Sequence, residues 1–153
     1  MRVHCYFLIA IISLVSGGSA LAKAMHIPLD QKCKESDLIA VIDITRIQNK
    51  GAAKPYRKIA TGRIVESIKG KVEAKTFQLD FDNGLTCPNV LYQRGQRCIV
   101  FLKKHTSGHF STYNSYFGAY SISTNTVLGW EFKADTRLDV VRKEIQQHLE
   151  PAK

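Results

Sequence analysis

The stretch "LIAVIDITRI", residues 38–47, carries apolar and β-branched side chains on both of the faces a strand presents. Strand side chains alternate between two faces, so a half-exposed strand reads as apolar on one and polar on the other. A run that is apolar on both is a strand buried on both. The rest of the chain therefore has to supply the sheet that buries it.

Turn residues and alternation mark the remaining strands. "QNKGAAKPYRK" (48–58) reads as a loop by its Gly, Pro and charge. "IATGRIVESIKGK" (59–71) reads as a long strand ending at Lys69-Gly70, with Gly62 placed for a bend or bulge. In "KTFQLDFDNG" (75–84), Phe77, Leu79 and Phe81 alternate with Gln78, Asp80 and Asp82 before a turn at Asn83-Gly84. "RCIVFLKK" (97–104) is a fourth strand, entered from a turn at Arg94-Gly95-Gln96 and running into the loop "HTSGHFST" (105–112). "YFGAYSIS" and "TVLGWEF" form a hairpin around Thr124-Asn125, with Tyr116, Tyr120 and Ile122 on one face and Trp130-Glu131-Phe132 as a strand edge. The period then changes from two to 3.6. "TRLDVVRKEIQQHLEP" puts Leu138, Val141, Ile145 and Leu149 on one helical face, with a capping box at Thr136–Asp139 and a stop at Pro151. Five or six short strands and one terminal helix predict a small, strongly bent antiparallel barrel with the helix packed on it.

The N-terminus sets the compartment. A basic start, an apolar run from Tyr6 to Val15 and overlapping Ala-x-Ala sites read as a secretory signal over residues 1–24, cleaved after Ala22 or Ala24. Its apolar core is short of the roughly 20 residues a membrane-spanning helix needs, and no later stretch is apolar enough to span. Residues 25–153 then form one domain, secreted or periplasmic. Export permits disulfides. Of Cys33, Cys87 and Cys98, the pair Cys87 and Cys98 flanks a turn, and closing that loop is worth about 3 kcal/mol. Zinc at this pair lacks the C-x₂₋₄-C spacing, and a redox dithiol lacks C-x-x-C. Cys33 is a buried thiol or a cross-link to a second molecule.

Taken together, "SDLIAVIDITRI" after a cysteine, "GRIVESIKG", "GQRCIVFLKK" and the final amphipathic helix resemble, in order and spacing, the netrin-module and TIMP-like OB-fold proteins that bacteria secrete. The resemblance covers most of residues 33–149 and implies a mainly β, five-stranded Greek-key barrel with one C-terminal α-helix. The metalloproteinase inhibitors of that group begin with a cysteine whose amino group and carbonyl chelate zinc. Here Lys23 or Met25 comes first, no Cys-x-Cys matches, and no inhibitory residue carries over.

The formal net charge is +9, and it is concentrated. Residues 46–75 hold nine Lys/Arg against Glu66 and Glu73. On the OB-fold reading the loop joining the first two strands commonly touches ligands. Its Lys50, Lys54, Tyr56, Arg57 and Lys58 would suit an anionic protein, a polysaccharide or a membrane surface. Nucleic acid is a poor target for an exported protein. Tyr113, Tyr116, Phe117 and Tyr120 could make a stacking platform, but alternating aromatics are more simply core, with only Tyr113 and Phe117 in phase to face outward. His105 and His109 lie in a Ser/Thr/Gly loop, where their spacing has no ligand geometry. No G-x-S-x-G, H-E-x-x-H or paired carboxylates are present, and Asp43, Asp80 and Asp82 have no partner visible in sequence. The chain reads as a non-enzymatic binding module that needs no metal or cofactor. The second reading is a loop-mediated inhibitor of a secreted protease, metallo- or otherwise, that works without the N-terminal cysteine chelate.

Overall fold

The computed structural model describes residues 26–51, 57–82 and 90–150. The signal, Lys54, Tyr56, Cys87, the Asn83-Gly84 turn and Pro151 lie outside them. The first element is a short helix, α1 (Leu29–Glu35). Strands β1 (Leu38–Asn49), β2 (Lys58–Lys69), β3 (Thr76–Phe81), β4 (Arg97–Lys104) and β5 (Phe110–Thr112) follow. After them come β6 (Ala119–Ser123), β7 (Thr126–Val127), β8 (Thr136–Arg137) and helix α2 (Leu138–Leu149).

Strands pair in the order β1-β2-β3-β5-β4, and β4 returns to pair with β1. The result is a closed five-stranded barrel of OB-fold-like form, with β3 and β5 parallel and its other pairs antiparallel. Strands β6, β7 and β8 extend the sheet from β4. Closure explains the doubly apolar first strand. Leu38, Ala40, Ile42 and Ile44 fill the barrel with Leu79, Phe81, Val100 and Leu102. The intervening Ile39 and Val41 join Ile99, Phe101, Val127 and Trp130 beneath both helices. Each face of β1 and β4 thus meets its own core.

Where β1 passes Gly62, Ile44 pairs with Gly62 and Arg46 with Thr61, leaving Thr45 as the extra residue of a bulge. The bend expected at Gly62 is therefore made on the partner strand. Gly62 serves packing, because a Cβ there would lie 2.8 Å from the Phe77 ring.

Four local expectations change. Helix α1 was not anticipated; its sequence LDQKCKE has no apolar stripe, and Lys69 Nζ caps its end through the carbonyls of Cys33 (2.6 Å) and Lys34 (2.8 Å). The 105–112 loop ends in strand β5. Trp130-Glu131-Phe132 is a 3₁₀ turn and no strand edge, because Gly129, Glu131 and Phe132 all have positive φ. The capping box does not form: Thr136 belongs to β8, and Arg137 takes the N-cap position without a side-chain bond. The face of α2 is as predicted, with Leu138, Val141 and Ile145 buried and Leu149 packed beside them.

A second 3₁₀ turn, Ser115–Gly118, resets the aromatic phase ahead of β6. Phe117 is buried and Tyr116 is 47% exposed, the reverse of the strand reading. Cys33 is buried on α1, and burial raises its thiol pKa to about 11. Cys98 is a free, buried cysteine among the described residues, inside the barrel. Its expected partner Cys87, and with it the bridge, lies outside the described residues. Among the described residues no helix is long and apolar enough to cross a membrane.

Candidate functional site: a basic rim anchored on the third strand

The β1–β2 loop leaves the barrel at Lys50 and returns at Arg57, closed at its base by a bond from Lys50 N to Arg57 O of 2.7 Å. Both side chains turn toward β3. Arg57 grips Asp82 with a two-point fork, Nε to Oδ2 at 2.9 Å and Nη2 to Oδ1 at 3.2 Å. Lys50 Nζ lies 3.5 Å from Asp80 Oδ1. Lys58, half-buried at the start of β2, makes no ion pair among the described residues.

Asp80 and Asp82, which have no partner visible in sequence, are both paired in the structure. They do face away from the barrel lumen, but are only 6% and 4% exposed, with Lys50 and His109 on Asp80 and Arg57 on Asp82. A carboxylate removed from water has to be paired, which is what Lys50 and Arg57 supply. The hydrogen bond from Arg57 to Asp82 also raises the guanidinium pKa.

The β4–β5 loop arrives at the same point. His105 N bonds His109 O (2.8 Å) and Gly108 N bonds His105 O (2.9 Å), a tight turn that delivers His109 to β3. His109 Nδ1 lies 3.2 Å from Asp80 Oδ1. Asp80 is therefore a shared anchor for the β1–β2 and β4–β5 loops. Among the described residues no group of three His, Cys, Asp or Glu could hold a metal.

Asp43, whose partners the sequence likewise does not show, has them across the sheet. Its register partners are Arg63 on β2 and Arg97 on β4, so it sits between two arginines in three adjacent strands. Arg97 Nε reaches Oδ1 at 2.7 Å, and Nη2 of both Arg63 (2.7 Å) and Arg97 (3.1 Å) reaches Oδ2. The Arg97 hydrogen bond, opposed by desolvation and assisted by Arg63, holds the Asp43 carboxyl below the ordinary 3.8. A depressed carboxyl stabilises the fold above its unfolded pKa, and the contribution is lost as pH falls through the folded value. Stability should therefore drop as pH falls below 3.8, and Asp43→Asn should make that drop shallower. Urea unfolding between about pH 5 and pH 2 checks this.

A further polar cluster is sealed beneath the helices. Lys32 on α1 is 0% exposed and donates from Nζ to Glu131 Oε1, to Tyr120 Oη (2.8 Å) and to Phe117 O (3.3 Å). Burial lowers the Lys32 pKa against the pull of Glu131. Tyr120 Oη also donates to Glu131 (2.7 Å), and Trp130 Nε1 donates to Glu144 on α2 (2.8 Å).

No protein-family model matches the chain, and no curated protein sequence matches it. The functional reading therefore rests on the residues and their geometry.

Proposed function

We propose that this chain is an exported, non-enzymatic OB-fold-like binding module that holds an anionic polymer, an acidic polysaccharide above all, on the rim formed by the β1–β2 and β4–β5 loops. One observation carries the reading: Lys50 and His109, from two loops, meet on the single carboxylate of Asp80. In small barrels of this form those two loops frame the surface that takes oligosaccharides and oligonucleotides. A secreted or periplasmic protein meets the former. The ion pairs of Lys50 and Arg57 fix the base of the loop, and Lys54, Tyr56 and Lys58 are the residues whose chemistry suits an anionic polymer. The resemblance to netrin modules agrees with a binding role and adds no catalytic residue.

The site also dictates which variant is informative. Reversing Arg57 would strand the buried Asp82, so Arg57 should stay. A Lys54→Glu/Lys58→Glu variant should bind a heparin-derived oligosaccharide at least about tenfold more weakly, with a shallower dependence on salt. Titration calorimetry at two salt concentrations measures both. Unchanged affinity in a folded variant would remove the rim as the contact surface.

A further inference from the structure

We propose that the cleft bounded by Arg63, Arg94 and Arg97 is a second binding site, one that takes a phosphomonoester dianion. It shares no residue with the rim described above. The cleft has a volume of about 630 Å³ and is lined by Asp43, Ile44, Thr45, the three arginines, Gly95, Ile122 and Thr124. That size admits a phosphate together with the small organic group that carries it.

Three local features shape this space. Asp43 uses both carboxylate oxygens on Arg63 and Arg97 and so fixes the two guanidinium planes. A guanidinium has five N–H donors, and Arg63 spends only Nη2 on Asp43 while Arg97 spends Nε and Nη2. Among the described residues, Nε and Nη1 of Arg63 and Nη1 of Arg97 make no hydrogen bond and are left for a ligand. Arg94 sits on a turn clamped to β1 by Gly95 N to Ile44 O (2.7 Å) and Ile44 N to Gln96 O (2.8 Å). Gln96 braces the same turn through Gln93 N (2.9 Å) and Ser121 Oγ (2.7 Å). The Arg94 side chain has no ion pair or hydrogen bond among the described residues. Finally, the bulge at Thr45 bends β1 at the cleft, where such irregularities often re-aim side chains.

Charge selects the ligand. Three guanidiniums against one carboxylate leave two positive charges, matched by a phosphomonoester of about −1.5 to −2 at pH 7. Planar forks favour oxyanions with several acceptor oxygens. Ile122 gives the carried group an apolar wall.

The test follows the backbone amides and arginine Nε signals of the labelled protein during titration with glycerol phosphate. Saturable shifts at residues 43–45 and 94–97 are expected, weakened at least about tenfold by Arg94→Ala and also by exchanging the monoester for dimethyl phosphate. Lys58→Glu should leave this binding unchanged, which separates it from the rim. Arg94-dependent sedimentation with phosphatidic acid vesicles would assign a lipid source of the phosphate, and binding of glycerol phosphate alone a soluble one. No shifts up to about 20 mM phosphomonoester, or shifts that Arg94→Ala leaves intact, would overturn the proposal.

Discussion

Glu131→Ala should cost about 3–5 kcal/mol of stability, read as a lowered urea midpoint at unchanged slope. Lys32 is fully buried, and its ammonium has one charged acceptor, Glu131, beside two neutral ones. Removing Glu131 strands that charge and also takes the acceptor from Tyr120. The pair need not stabilise the fold relative to an apolar substitute, since two ions had to leave water to form it. Lys32→Met combined with Glu131→Gln should therefore recover most of the loss. Equal destabilisation in the single and double variants would show that packing at this turn matters, and the ion pair does not.

Gly70→Ala should be nearly as damaging. Gly70 has φ +78°, and a Cβ there would lie 2.2 Å from the backbone oxygen of Asp37. The left-handed conformation costs an L residue about 1–2 kcal/mol, and the clash with main chain a further 1–3 or so. Main chain at Asp37 has little freedom to retreat, because Asp37 N bonds Leu102 O (2.8 Å) and its Oδ2 accepts from Lys104 N (2.8 Å). Gly95→Ala is the control: φ is +81°, but nothing lies within 4 Å, so only the conformational cost applies. Thermal or urea unfolding of the two variants should differ by at least about 1 kcal/mol. Equal losses would place the Gly70 turn farther from Asp37 than the structure has it.

The residues that were legible in sequence are those whose burial follows from local pattern. Strands β1 and β4 are apolar on both faces because barrel and helices cover them, and α2 shows its 3.6 period because a single stripe meets the core. Helix α1 escaped because it is seven residues long and buries a lysine in place of an apolar side chain. The 3₁₀ turn at Trp130–Phe132 escaped because Glu131 and Phe132 adopt left-handed backbone that their residue types do not announce. In the candidate sites the cations were visible and their partners were not. Asp82 meets Arg57, Asp80 meets His109 and Asp43 meets Arg97 across 25, 29 and 54 residues of chain. Such pairs depend on strand register, which alternation fixes only up to the identity of the face. Once β1 is known to lie between β2 and β4, the Arg63–Asp43–Arg97 row follows directly from the register.

The central functional claim is that two loops anchored on one strand form a single contact surface. A backbone amide shift map of the protein with a sulfated heparin hexasaccharide tests it most directly. The account predicts that the largest changes cluster at residues 50–58 and 105–109 together, and that they fade as salt is raised. Changes confined to one of the two loops, changes centred on another face, or none at low salt would contradict it.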